Sequence, residues 1–249
     1  AALGAENVTG VAMPGPYSSA GALTDARELA KNLGIHFEVV SIEKSYQQMQ
    51  GDLEPLLGAG DWGVAQENLQ SRLRGTILMT IANRVGAMVL ATGNKSELSV
   101  GYCTLYGDMC GGLAPLGDVS KDLVYRLARL DRFKGQIPLS TIEKPPSAEL
   151  APDQVDTDSL PPYEQLDAIL TAWVEERRSF TEIVALGLPE EAVRQVIRLI
   201  ELSEHKRRQS APILRVTPRA YGVGRRVPIA RSLDGWQYRS ETASGESRP

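Results

Sequence analysis

Histidine and cysteine are scarce: the 249-residue chain holds only His36, His205, Cys103 and Cys110. So few thiols and imidazoles exclude a disulfide framework and a zinc site with dense ligands, and both thiols are expected to be free and structurally neutral. No apolar run approaches the roughly 18 residues that suggest a membrane span. The opening AALGAENVTG also lacks the charged-then-apolar layout of a signal peptide, so a cytoplasmic protein is expected. There is no excess of positive charge. A net charge of -4 argues against a surface built throughout to grip nucleic acid or anionic membrane. Internal repeats, a Walker loop and a GxGxxG motif are all missing. So is an initiator Met, and Ala1-Ala2-Leu3 reads as the last turn of a helix stopped by Gly4, so a fragment is expected. What is present, 42% hydrophobic and 23% charged residues, suffices for an independent core.

The first hundred or so residues alternate strand and helix, which favours a parallel sheet covered on both faces. Strand is expected at Val8 to Met13, helix at Leu23 to Leu33 before Gly34, and strand again at Ile35 to Ile42. A mixed segment through Tyr46 and Leu56 leads to a longer helix near Ala65 to Val85. There Leu69, Leu73, Ile77 and Ile81 recur at four-residue spacing. Ala87 to Ala91 reads as a short buried strand, and a further helix starts near Asp118 or Ser120 and turns Leu123, Val124, Leu127 and Leu130 inward. Residues 134–162 are rich in proline and acidic side chains, hence an extended loop. A loop of that length inside a compact domain is functional or disordered. Helices are expected at Tyr163 to Arg177, Phe180 to Leu186 and Pro189 to Glu204, and His205 to Arg231 carries eight Lys and Arg residues and no acidic one.

Loops after parallel strands are where open α/β sheets bind ligands. Pro14 to Gly21 joins strand to helix with small and hydroxyl residues that suit a phosphate cradle, or equally a plain turn with an N-cap. Thr92-Gly93-Asn94-Lys95-Ser96-Glu97 follows the next strand. Thr92 and the Gly93 peptide suit a nucleotide and Glu97 a Mg²⁺ ion, whereas a capped helix start explains the same residues without a ligand. Asn68 and Arg72 stand four apart on the long helix, an amide and a guanidinium on one face. Phe180 to Glu204 has the outline of a helix-turn-helix, although Glu190, Glu191 and Glu201 balance Arg194 and Arg198 there. The basic stretch needs an anionic partner, and a phosphorylated metabolite or an acidic loop of a neighbouring subunit suits it better than DNA.

Taken together, VAMPGPYSSAGALTDARELAKNLGI, AQENLQSRLRGTILMTIAN, LATGNKSELSVGYCTLYGDMCGGLAPLGDVSKDLVYRLA, IPLSTIEKPPSAEL and LIELSEHKRRQSAPILRVTPRAYGVGRRVPI resemble, in order and over nearly the whole chain, the synthetase domain of glutamine-dependent NAD⁺ synthetases. The resemblance implies a parallel-sheet, Rossmann-like α/β fold of the adenine-nucleotide α-hydrolase type with a helical C-terminal part. It divides the chain into an α/β part at about 1–133, a lid at about 134–162 and a helical, basic part at about 163–240. It implies a ligase that uses ATP and Mg²⁺ to adenylate deamido-NAD⁺, which ammonia from glutamine then attacks to give NAD⁺. A homodimer or higher homo-oligomer is implied, with no nucleic-acid or membrane partner.

Position by position, the resemblance makes Thr92, Lys121 and Ser147 ATP contacts, and Asn68, Glu97 and Lys206 deamido-NAD⁺ contacts. Glu97 is also the Mg²⁺ ligand, with Arg72 and Arg74 as supporting cations. Asp108 and Lys121 are the catalytic candidates, Asp108 by orienting ammonia. Two parts of the family pattern are missing from these residues: the SGGxDS pyrophosphate loop, and the glutaminase domain with its Glu-Lys-Cys triad. The chain by itself is therefore expected to be inactive. Pro16 stands where many relatives carry a basic residue. The alternatives are a helix-turn-helix nucleic-acid-binding protein and a non-catalytic nucleotide-sensing module.

Overall fold

The computed structural model describes residues 2–222 and 224–230; Arg231 and the end of the basic stretch lie outside the described residues. Two short strands, β1 (Thr9–Ala12) and β2 (His36–Val39), run parallel with Thr9 opposite His36 and Val11 opposite Glu38. Helix α1 (Ala20–Leu33) connects them and makes the expected βαβ unit. It starts where Ser19 accepts the Ala22 N–H and stops where Gly34 takes a left-handed φ of 67°.

Helix α2 (Glu43–Leu57) replaces the mixed segment expected through Tyr46 and Leu56. Gly51 and Pro55 weaken its pattern, but the helix is anchored where Ile42 and Tyr46 are buried. Helix α3 (Val64–Val85) follows as expected and ends at left-handed Gly86. No helical turn forms at Ala2–Leu3, since the first helical residues are the 3₁₀ turn Ala5–Asn7; Ala1 lies outside the described residues.

The expected strand at Ala87 to Ala91 is an extended run held at one point. Ala91 N–H donates to the Leu113 carbonyl and Gly112 N–H to the Val89 carbonyl, both at 2.9 Å, which makes a single parallel bridge. Ala91 is buried while Met88 and Leu90 are exposed. The described sheet therefore has two strands, β1 and β2. An apolar run becomes a strand only where a neighbour takes up its backbone groups on successive residues.

Short helices α4 (Lys95–Val100) and α5 (Lys121–Ala128) come next. The segment 134–162, expected as a lid, is not wholly extended, because α6 (Leu139–Glu143) and the 3₁₀ turn Asp156–Asp158 interrupt it. Each proline stands at or before a helix start or between elements, where its missing N–H costs little. The helix expected over Tyr163 to Arg177 is α7 (Tyr163–Leu170), continued by the π-helical turn Thr171–Glu175. Then come α8 (Phe180–Val184), α9 (Glu190–Leu202) and the single turn α10 (Glu204–Arg207).

The principal core lies in this helical part. Leu166, Ile169 and Leu170 of α7 meet Val193, Val196, Ile197 and Ile200 of α9, with Val100 at the end of α4 packed among them. On α9 those residues recur at three- and four-residue spacing, so one stripe faces α7. Each such side chain contributes about 1.5–3 kcal/mol by leaving water. The helix-turn-helix outline of α8 and α9 is present, but its apolar face is core.

Three cations of the basic stretch find their carboxylates within the chain. Arg225 pairs with Glu201 at 2.5 Å and Arg208 with Glu204 at 2.9 Å. Buried Arg207 lies 3.2 Å from Glu204 and donates to the Ser99 carbonyl, while Tyr221 enters the core. The neutralising carboxylates sit just upstream, on α9 and α10. Both cysteines are free, and among the described residues no helix is long and apolar enough to cross a membrane.

Candidate active site

Where α1, α3, α4, α5 and the lid face one another they enclose a cleft of 1010 Å³. Its walls include Asn68, Thr92, Glu97, Asp108, Lys121, Ser147 and Lys206. These seven residues come from six separate stretches of chain.

The Thr92 to Glu97 turn acts as a cap and as cleft wall at once. Asn94 accepts the Glu97 N–H and Glu97 Oε2 accepts the Asn94 N–H, both at 3.0 Å, a reciprocal capping box that aims the Glu97 carboxylate. The other oxygen, Oε1, takes the Lys121 ammonium at 2.8 Å. Both side chains are less than one-fifth exposed. Burial pushes the Lys121 amine down, but the charge and hydrogen bond of Glu97 outweigh it and hold the amine above its usual range. The Tyr163 ring stands 5.1 Å from the same ammonium, and the Tyr163 hydroxyl donates to Asp156 at 2.7 Å. Asp156 Oδ1 is buried with no partner of its own.

Asp108 ends a tight turn after Tyr106, whose φ of 66° is unusual for a residue with a side chain. The carboxylate opens to the cleft and accepts the Thr104 N–H at 2.7 Å and the Ser71 hydroxyl at 3.2 Å. Burial of the carboxyl group pushes its pKa up, against those hydrogen bonds. Thr104 also donates to the Asn68 side-chain oxygen at 2.8 Å, which ties the turn to α3. The approach is this close because Gly75 has no side chain: a Cβ there would lie 2.7 Å from the Tyr106 carbonyl. Gly75→Ala is expected to cost about 1–3 kcal/mol by overpacking. A urea midpoint unchanged from wild type would contradict that.

Asn68, Ser71 and Arg74 share the cleft-facing stripe of α3 at three-residue spacing. Arg72 does not share it; its guanidinium donates outside the cleft wall, to the Leu105 carbonyl at 3.2 Å. Four residues on, Arg72 stands about 40° round the helix from Asn68 and so keeps its neighbourhood, but on the side away from Ser71, which leaves it off the cleft wall. Arg74 donates to the Met13 carbonyl at 2.9 Å.

Lys206 lines the opposite end, where its ammonium is held by the Gly101 and Cys103 carbonyls at 2.6 and 2.7 Å. Ser147 is turned into the lid, donating to the Gln154 carbonyl and accepting the Glu149 N–H at 3.0 Å. At the loop after β1, the Ser19 N–H and hydroxyl donate to Glu149 at 3.1 and 2.8 Å, and Lys144 joins them. Burial raises the Glu149 carboxyl, but Lys144 and Ser19 outweigh it and hold it below the usual range. A carboxylate of the lid thus sits on the α1 N-terminus, the position expected to suit an anion.

A hard cation finds a single fitting ligand in the predicted set, Glu97. Among the described residues no group of three or more His, Cys, Asp or Glu side chains gathers as a cage. Mg²⁺ asks for less, one or two carboxylates completed by phosphate oxygens and water, so Glu97 fits it. Sequence reasoning missed Ser71, Thr104, Asp156 and Tyr163. Only Ser71 left a signal, its spacing from Asn68.

Residues 1–210 match the family model described as NAD synthase. The chain is 53% identical over 233 residues to the glutamine-dependent NAD(+) synthetase of Synechocystis sp., covering 93% of this chain and 42% of that protein. A solved glutamine-dependent NAD+ synthetase from Acinetobacter baumannii, in complex with adenosine diphosphate, is 43% identical with a TM-score of 0.56, covering 92% of this chain and 41% of that one. A second, from Cytophaga hutchinsonii, is 25% identical with a TM-score of 0.71, over 90% of this chain and 38% of that one. The fold is the Rossmann-like α/β fold of these neighbours. The chain spans about two-fifths of the length of the curated relatives it matches.

Proposed function

The chain belongs to the NAD synthase family, and from that premise we propose that it is the ligase part of a glutamine-dependent NAD⁺ synthetase. The reaction is amidation of deamido-NAD⁺. A carboxylate is a poor electrophile because its charge is delocalised and oxide is a hopeless leaving group. The nicotinate oxygen therefore attacks the α-phosphorus of ATP, pyrophosphate departs, and ammonia adds to the carbonyl carbon of the adenylate and expels AMP.

The observation that carries this reading is the convergence of Asn68, Thr92, Glu97, Asp108, Lys121, Ser147 and Lys206 on one cleft, with the Lys121–Glu97 pair among them. Lys121 offsets charge on the departing pyrophosphate. Thr92 donates to ATP, and Ser147 does so from the lid once its hydroxyl leaves the Gln154 carbonyl; closure of the lid excludes water from a hydrolysable adenylate. Asn68, Glu97 and Lys206 hold deamido-NAD⁺. Asp108, its carboxyl pKa pushed up by burial, accepts a hydrogen bond from ammonia and orients its lone pair. Mg²⁺ held at Glu97 would draw charge off the phosphates. A homodimer in the cytoplasm completes the reading.

Isotope labelling tests the route. With ¹⁸O in the nicotinate carboxylate, the full-length polypeptide supplied with ATP and ammonia should deliver label into AMP. Label in inorganic phosphate together with ADP would overturn adenylation. Purified alone, the 249 residues lack SGGxDS and are expected to form no NAD⁺ from deamido-NAD⁺, ATP and ammonia. Turnover by that protein would sink the expectation.

A further inference from the structure

Glu97 and Lys121 belong to different short helices, and neither α4 nor α5 is long enough to fix its own orientation. One side chain from a third helix joins them. Asp167, buried on α7, accepts the Ser96 hydroxyl on one oxygen and the Asp122 N–H at 3.0 Å on the other. The Ser96 oxygen in turn accepts the Lys121 N–H at 2.9 Å. A closed ring of hydrogen bonds therefore clamps the residue before Glu97 to the first two residues of α5. Tyr163, one turn earlier on α7, lies against the Lys121 ammonium. Helix α7 is itself seated in the core through Leu166, Ile169 and Leu170.

We infer that Asp167 and Ser96 are positioning residues whose hydrogen-bonded ring sets the separation of Glu97 and Lys121, and with it the reach of the site toward the phosphates. This rests on the proposed role of that pair. Neither Asp167 nor Ser96 lines the cleft. Their effect is transmitted through backbone placement. The two act as one unit, so removing both should harm no more than removing one.

The test uses Ser96→Ala, Asp167→Ala, the double variant and Ser96→Thr, which keeps the hydroxyl, in the full-length polypeptide with ammonia as nitrogen donor. Each alanine variant should lower kcat about 10–100-fold, the range seen when partners of first contacts are removed, with little change in KM for deamido-NAD⁺. The double variant should match the worse single one, and Ser96→Thr should retain most of the activity. Hydrogen exchange gives a readout independent of turnover: the Lys121 and Asp122 amides should lose protection while those of α9 keep theirs. Should Asp167→Ala fail to fold, Ser96→Ala carries the test. Folded alanine variants with unchanged kcat would overturn the inference, as would activity losses that add, or Lys121 and Asp122 amides that stay protected. A wild-type polypeptide making no NAD⁺ would instead defeat the functional reading, and the exchange data would still decide the ring.

Discussion

Glu97→Gln is expected to lower NAD⁺ formation by roughly 10²–10³-fold or more, the scale of losing one electrostatic contact to a transition state, with the fold intact. Glutamine keeps the length and still offers an oxygen to the Asn94 N–H, as the capping box permits. The charge goes. Without it the Lys121 ammonium loses its 2.8 Å partner, and a Mg²⁺ ion loses the carboxylate that fits it. Two measurements on the full-length polypeptide check this: kcat with saturating ATP and ammonia, and the urea midpoint. Activity within about tenfold of wild type would place Glu97 outside the chemistry. A collapse of stability instead would mean that its cap, and not its charge, is what the site needs.

The second large effect concerns stability. Lys95 is 1% exposed, and its ammonium lies 2.9 Å from Asp118, 2.7 Å from Glu175 and 2.8 Å from the Thr217 hydroxyl. Lys95→Met keeps much of the volume and deletes the charge, leaving Asp118 buried without a counter-ion. Breaking such a pair costs about 3–5 kcal/mol, and urea or thermal unfolding should show it. Burial pushes the Asp118 carboxyl up, but hydrogen bonds from Lys95, Thr217 and Val216 outweigh it and hold it below the usual range. Stability from a depressed carboxyl is present above its unfolded pKa of about 3.9 and is lost as pH falls through the folded value. In the variant the Lys95 contribution is gone, so the Asp118 carboxyl protonates more readily and is relieved by it. The gap between wild type and Lys95→Met should therefore narrow below about pH 4. A constant gap would assign the loss to packing.

Much of the fold was legible because it is local. The α3 stripe and its Gly86 stop, the β1–α1–β2 unit and the Pro189 start of α9 each follow from spacing and capping chemistry within one segment. Helix α2 was not legible, since its stretch EKSYQQMQGDLEPLL is largely polar and broken by Gly51 and Pro55. The run at Ala87 to Ala91 has a strand's composition, but strandness depends on a neighbour that composition does not report. The basic stretch was legible only in part for a related reason. Counting charge from His205 onward omits Glu201 and Glu204, which stand one turn upstream and face back onto it.

For the cleft, spacing singled out Asn68 and the Thr92 to Glu97 turn without deciding between a site and a plain helix face or cap, and resemblance assigned their roles and supplied Asp108, Lys121, Ser147 and Lys206. Geometry alone separated Arg74 from Arg72 and added Thr104 and Tyr163. Their contacts join residues tens of positions apart, such as Thr104 with Asn68, and no periodicity records them.

The knot around Lys95 also bears on the order in which the molecule can assemble. Its Thr217 partner is separated from it by 122 positions, and a ribosome releases the chain from the N-terminus first. While the nascent polypeptide still ends short of Thr217, the Lys95 ammonium has its neighbours of the finished fold only in part, and the turn that carries Glu97 lacks its underpinning. The last partner of that buried ammonium is thus supplied by a residue that lines none of the cleft.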